Sequence, residues 1–298
     1  MAADITVAFL ARGIDGGLAA VEAFLASYGR YAAGTSHSLV LLAKGWEGVS
    51  GRERLSDLAA VAGAEVLDLS DEGYDWGAYF RLSAVAKTEY LYLLNTHSRI
   101  MRDGWVARPY AQITRPEIGL VGCTASWGSI GWNWAFHSYH IKRLWKKDWR
   151  VKSIAYAAWV GLRYLAFMLS RQRQFPDFPN PHVRSNAFML RTAHLREFAA
   201  QHDMPNTKHQ AHLLECGRNG LSRFIEAKGL GLILCGADGG AHPPSSWPDS
   251  GIFCCPNQPN LLVADNLTQE YENRTAAKKR DLELAFWGRV LTPDIDKP

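Results

Sequence analysis

Short apolar runs alternating with helix-length segments over the first 125 or so residues constrain this chain more than any other feature. Ile5 to Leu10, Leu39 to Ala43, Glu65 to Leu69, Tyr90 to Leu94 and Ile118 to Cys123 read as strands. Leu18 to Tyr28, Arg52 to Val61, Trp76 to Lys87 and Asp103 to Ile113 read as the helices between them, with Asp103 as a cap. Alternation of this kind builds βαβ units, so the expected class is α/β with a Rossmann-type, mostly parallel sheet and flanking helices. At 298 residues and 47% hydrophobic content the chain can bury a large core, as one domain or two unequal lobes.

After Ser126 the alternation breaks. A Trp- and Gly-rich stretch leads into a long basic, aromatic helix candidate, a basic helical insertion that ends where Pro176, Pro179 and Pro181 forbid its continuation. Ala187 to Leu190 then reads as a returning strand, Asn206 to Ala227 as helical, Leu230 to Cys235 as a further strand, and Arg280 to Phe286 as a last helix. The expected division is a first half (1–126), the inserted basic segment (127–182), and a second half with its tail (183–298). Charge follows the same division: His140 to Gln174 holds nine Lys or Arg against Asp148 alone, or +8, which leaves the rest at −4. A net +4 made in this way gives no general affinity for nucleic acid. Five cysteines with no CxxC pair argue against a disulfide framework and a zinc ribbon, and Cys254 and Cys255 read as packing residues. The start lacks a basic, apolar leader, so a cytoplasmic home is expected.

Ligands of open α/β sheets sit outside the carboxyl ends of the strands, so polar residues there are the candidates for chemistry. The stretch from Asp71 to Ser98 supplies a group of them: Asp75 between Tyr74 and Trp76, flanked by Gly73 and Gly77, then the strand tip Asn95, Thr96, His97, Ser98. Glycines beside an acid permit close backbone approach, and the aromatics offer a stacking face. Asp75 reads also as the cap of a helix starting at Trp76, and the two roles can hold at once, the ligand contact being preferred. The first loop brings Arg12, Gly13, Gly16 and Gly17 without a GxGxxG fingerprint. Arg12 suits a base edge or a diphosphate, or is a surface arginine on a tight turn. Glu215 is the only acid between Met204 and Ile225, in the company of Gly217, Arg218, Ser222 and Arg223. Arg184-Ser185-Asn186 stands before the returning strand, as an acceptor-side lining or a surface turn.

The order Gly-aromatic-Asp-aromatic-Gly, helix, buried strand, Asn-x-polar-Ser resembles the GT-A nucleotide-sugar glycosyltransferases, family 2 and rhamnan synthesis protein F-like enzymes in particular. In those families the strand tip is the metal- and diphosphate-binding DxD element. Here it is Asn95-Thr96-His97, a histidine standing where the second acid is expected. The resemblance implies an inverting transfer of a sugar from a nucleotide-diphosphate donor to a glycan or lipid-linked acceptor, as in bacterial surface polysaccharide assembly. It implies Arg12, Gly13, Asp75 and Trp76 on the nucleoside, Asn95 and His97 on the diphosphate with Mn²⁺ or Mg²⁺, Glu215 as general base, and Arg218 or Arg223 at the leaving group. The alternative is a non-catalytic, degenerate GT-A module that binds glycan or nucleotide in a membrane-associated assembly.

Ile154 to Leu169 is apolar but too short for a span of about 20 residues. With tryptophans 145, 149 and 159 and cationic flanks, it reads either as an interfacial helix on an anionic membrane or as a partly buried helix with a solvated basic face. The interfacial reading predicts co-sedimentation with anionic vesicles at low salt, since each basic residue near the surface adds about 1 kcal/mol. Binding should weaken as salt screens it, and should drop when Lys142, Arg143, Lys146 and Lys147 are changed to Gln. No pelleting at low salt would make the segment internal or partner-facing.

Overall fold

The computed structural model describes residues 4–130 and 172–292. Most of the basic insertion, including the apolar run at 154–169, lies outside the described residues. Among the described residues no helix is long and apolar enough to cross a membrane.

The first five expected strands are present as β1 (Ile5–Arg12), β2 (Ser38–Lys44), β3 (Glu65–Leu69), β4 (Tyr90–Leu94) and, after the short β5 (Arg99–Ile100), β6 (Ile118–Gly122). The helices between them are α1 (Gly17–Arg30), α2 (Arg52–Ala62), α3 (Tyr74–Val85) and α4 (Ala107–Ile113). β7 (Ala125–Ser126), β8 (His182–Val183), β9 (Ala187–Arg191), β10 (Gly231–Cys235), β11 (Ala241–His242) and β12 (Val263–Ala264) complete the strands. The later helices are α5 (Thr192–Ala200), α6 (Lys208–Cys216), α7 (Leu221–Ala227), α8 (Asn266–Glu272) and α9 (Ala276–Trp287).

Eight strands form one sheet in the order β11-β10-β6-β9-β4-β1-β2-β3. The fold is α/β with a mostly parallel sheet, as expected. Two strands depart from this: the edge strand β11 is antiparallel to β10, and the interior β9 runs antiparallel to both neighbours, with Leu94 opposite Ala187 and Gly122 opposite Phe188. Both faces are covered, so the central strands are apolar throughout rather than alternating. Ala8, Leu10, Leu91 and Leu93 enter the core on one face, and Val7, Phe9, Tyr92 and Leu94 the core on the other. All five cysteines are free and buried, Cys254 and Cys255 included.

The differences from expectation have local causes. Asp103 is not a cap; α4 starts at Ala107, and Asp103 Oδ1 accepts the Ala32 N–H at 2.8 Å, tying two loops together. The expected helix Asn206 to Ala227 is broken into α6 and α7. α6 starts with a capping box of Thr207 and Gln210, and ends at Gly217, whose backbone leaves no room for a side chain: a Cβ there would meet the Leu213 carbonyl oxygen at 2.5 Å. α5 and α8 were not expected at all. α8 starts at Asp265, whose carboxylate accepts the Thr268 N–H at 2.8 Å as a cap.

Candidate functional site

The carboxyl ends of β1, β2 and β4, the amino end of the reversed β9 and the amino end of α3 meet at one edge of the sheet. β1 ends in Arg12 and β2 in Lys44, paired with each other in register. Lys44 has no exposed side-chain surface; its ammonium donates to the Tyr74 carbonyl at 2.5 Å and stands 3.6 Å from Asp71 Oδ1. Arg12 Nη2 donates to the same Asp71 oxygen at 3.3 Å, while Nη1 lies 3.7 Å from Asp15 Oδ2. Arg12, Lys44, Asp71, Glu72, Tyr74 and Asn206 line a cavity of about 390 Å³. The charges of its lining balance, two cations against two carboxylates, so it suits a polar, uncharged body such as a nucleoside better than a bare anion. Burial pulls the Lys44 ammonium below its ordinary value, against the pull of Asp71.

Gly13 ties the first loop to the second. Its N–H donates to the Lys44 carbonyl at 2.9 Å, and a Cβ there would meet the Gly45 oxygen at 2.4 Å, so it lets the first two loops touch.

Gly73, in the left-handed region at φ 79°, caps α3, which begins at Tyr74 rather than Trp76. Asp75 therefore sits in the first turn of the helix and is not its cap. Among the described residues no donor hydrogen-bonds its carboxylate. Burial raises it above the ordinary carboxylate value, with Glu215 and Asp15 adding to the rise and Arg12 and Lys44 opposing it. Trp76 is not brought to the site. It is 2% exposed and packs among Tyr79, Phe80, Phe188 and Phe198, so the stacking face available at this loop is the half-exposed Tyr74.

At the β4 tip Asn95 Oδ1 accepts the His97 N–H and the Ser98 hydroxyl, both at 3.1 Å. The amide is turned inward to build the tip, which does not suit a metal ligand. His97 Nε2 instead faces Asp15 Oδ1 at 3.5 Å across the first loop. Asp15 and His97 are thus the two donors that a hard cation would find here, with phosphate oxygens of a substrate needed to complete it. Among the described residues no three His, Cys, Asp or Glu side chains converge on one point.

Glu215, on α6, is four-fifths buried and reaches the same edge. Oε2 accepts the Ser185 N–H at 3.2 Å and the Ser185 hydroxyl, and Oε1 is 4.0 Å from His182 Nε2. Burial by itself would raise its carboxyl, but His182, Ser185, Arg184 and His212 outweigh that and hold it below the ordinary value. Tyr79 of α3 supports the Ser185 turn by donating to the Ser185 carbonyl at 3.2 Å. Arg218 and Arg223 are engaged elsewhere. Arg218 donates to the Gln172 carbonyl, and Arg223 to Glu226 and, behind His182, to the Asn180 side chain.

Lys44, Asp71, Asp15 and His182 were missed from sequence. Lys44 and Asp71 carried a usable signal, since each immediately follows or lies just past an apolar strand end. His182 carried none, because its partner is 33 positions away on another element.

Neither a protein-family model nor a curated protein matches the chain. Among solved structures it is similar to glucosyl-3-phosphoglycerate synthase from Mycobacterium tuberculosis in complex with Mn²⁺, UDP and glucosyl-3-phosphoglycerate, at 18% identity over 40% of this chain and 42% of that one, TM-score 0.31. A mannosyltransferase from Pyrobaculum calidifontis in complex with GDP-Man and Mn²⁺ matches at 10% identity over 66% and 47%, TM-score 0.39. A 4-diphosphocytidyl-2C-methyl-D-erythritol synthase from Anaerococcus prevotii matches at 9% over 70% and 82%, TM-score 0.40. The chain spans about two fifths of the mycobacterial enzyme.

The raised Asp75 carboxyl has a consequence for stability. A carboxyl raised on folding binds more protons in the native state between the unfolded value, about 3.9, and the folded one, so stability falls as pH rises through that window. Asp75→Asn should therefore raise the melting temperature near pH 7, with the gain fading as pH falls below about 4. A variant less stable than wild type at pH 7 would contradict a buried acid without a donor.

Proposed function

We propose that this chain is an inverting glycosyltransferase of the GT-A type, moving a sugar from a nucleotide-diphosphate donor to a glycan or lipid-linked acceptor in surface polysaccharide assembly. The observation that carries this reading is the position of Glu215. The acid singled out as a base from sequence stands near enough to Asp75, the acid singled out as a nucleotide contact, for the two charges to act on each other.

In this reading the cavity beside Arg12, Lys44 and Asp71 takes the nucleoside, with Tyr74 as the stacking face and Asp75 accepting from ribose hydroxyls. His97 and Asp15 are the residues that would hold Mn²⁺ or Mg²⁺, which when bound neutralises charge on the leaving diphosphate. Glu215 accepts the proton of the acceptor hydroxyl on the opposite side of the sugar. A carboxylate held below its ordinary value is ionised at neutral pH and ready to accept. Ser185 keeps it aimed, and Arg184 is itself fixed by Asp265 at 3.0 Å and by the Phe253 ring, 4.6 Å below its guanidinium.

Glu215→Gln preserves shape and removes the proton acceptor. Turnover should fall by a factor on the order of 10²–10⁴ while donor binding stays near wild type. Near-normal turnover in a folded variant removes Glu215 from the mechanism.

Thermal shift against UDP-, GDP-, CMP- and dTDP-sugars, with and without Mn²⁺, identifies the donor. The expected result is a shift for one nucleotide class that Mn²⁺ enhances and His97→Ala reduces. Binding indifferent to EDTA and to His97→Ala would show that the tip holds no cation. Binding of a donor with no transfer to any glycan would favour the non-catalytic module.

A further inference from the structure

His182 lies beneath the Glu215 carboxylate and is itself buried. Its Nδ1 is 2.8 Å from the Asn180 carbonyl oxygen, which can only accept, so Nδ1 carries a hydrogen. In the neutral ring Nε2 is then a bare lone pair, and what it faces, 4.0 Å away, is Glu215 Oε1. Two lone pairs directed at each other in a buried place repel, and a proton on Nε2 turns that repulsion into a charge-assisted attraction. The other carboxylate oxygen is already satisfied by both donors of Ser185. Oε1 is therefore the one oxygen whose state depends on His182.

We infer that His182 is a positioning residue for Glu215: one proton on Nε2 orients Oε1, and its departure frees Oε1 to accept the acceptor's proton. The inference deepens the reading of Glu215 as base and rests on it. The balance is simple. At the acid end, with Nε2 protonated, the imidazolium is +1 and the carboxylate −1. As pH rises the Nε2 proton goes to solvent, and near neutrality the lowered ring is neutral and Oε1 is free. During transfer the hydroxyl proton of the acceptor moves to Oε1 as its oxygen bonds to the sugar carbon and the diphosphate leaves with the electron pair of the broken bond.

The groups around the pair are fixed by four elements. Arg184 and Ser185 come from the turn after β8, Arg223 from α7, His212 from α6 itself, and Asp75 from α3. Burial lowers the His182 imidazole, Arg184 and Arg223 lower it further, and Glu215 with the Asn180 carbonyl opposes them without overcoming them. Glu215 is thus the one charged side chain among these that favours the protonated ring, and removing it has a sign.

The test is a side-chain ¹H–¹⁵N correlation titration of the full chain, labelled at histidine, from about pH 5 to pH 9, in wild type and Glu215→Gln. Nδ1 should stay protonated throughout and Nε2 should titrate. Its midpoint should fall by about one unit or more in Glu215→Gln. An unchanged midpoint, or titration at Nδ1, overturns the inference. Should that variant not fold, His182→Gln serves instead, because its amide can donate to Oε1 but cannot titrate. Oε1 is then held at every pH, so turnover should fall across the range and its profile should lose the acid limb that belongs to the imidazole, as should the side-chain ¹³C shift of Glu215. A pH profile identical to wild type overturns the inference as well. The two readings separate cleanly. Loss of turnover in Glu215→Gln without a His182 shift keeps the base and discards the pair; a shift with turnover intact keeps the pair and discards the base.

Discussion

β9 enters the sheet against the direction of its neighbours, and the candidate site depends on that reversal. A parallel strand would begin at the amino edge of the sheet, far from where ligands bind in open α/β folds. Running antiparallel, β9 begins at the carboxyl edge, so the turn that precedes it delivers Arg184, Ser185 and Asn186 beside the tip of β4. Asn186 then joins four segments. Its carbonyl accepts from the Asn95 N–H at 2.8 Å and the Ser98 hydroxyl at 3.2 Å, its Oδ1 accepts from Thr124 at 2.7 Å, and its Nδ2 donates to Asp265 at 2.5 Å. One amide, bonded through both its oxygen and its nitrogen, thus sets the β4 tip, the end of β6 and the start of α8 in a fixed relation.

The same edge concentrates ionic groups away from water. Lys44 and Asp265 have essentially no exposed surface, and Arg184 and Glu215 have little. Buried charges of this kind add little stability even when paired, because desolvation offsets their attraction. Lys44 and Asp75 are held away from their ordinary values chiefly by burial, so each opposes folding at neutral pH. The large apolar core on both faces of the sheet offsets this. A fold that spends stability at one edge of its sheet and recovers it elsewhere has the pattern expected of a binding or catalytic site.

How much of this was legible in the sequence depended on how local each signal was. The first four strands and the helices among them follow from apolar runs and their spacing, and the structure has them within a few residues. Asp75, Asn95 and Glu215 were found because each interrupts an apolar or uncharged context. The role of Asn95 was not legible, since an amide at a strand tip reads the same whether it faces a ligand or closes its own turn, and only the hydrogen bonds to His97 and Ser98 decide between them. Trp76 was misjudged for a related reason. Flanking glycines and an acid suggested a stacking platform, but α3 begins two residues earlier, with the indole in the core and Tyr74 outside. His182 and Lys44 acquire their meaning from elements that meet only through the sheet order, which no periodicity encodes.

The two carboxylates of the site are pushed in opposite directions, and that separation argues for different roles. Asp75 is partly buried, has no hydrogen-bond donor among the described residues and is raised by desolvation, so it tends to keep a proton or to seek hydroxyl donors from a ligand. Glu215 is also buried, but the serine, the histidine and the arginine around it stabilise its charge and lower it. When environments drive two titratable groups apart, the lower one is the ionised partner and the natural base. A lowered carboxylate is a weak base, which would be a defect if it had to strip a proton from an alcohol at rest. In the proposed sugar transfer the acceptor oxygen would become acidic only as it bonds to the sugar, and a weak, correctly aimed base would then be sufficient. What Glu215 lacks in strength, the Ser185 turn supplies as orientation, and the Ser185 turn exists because β9 runs the other way.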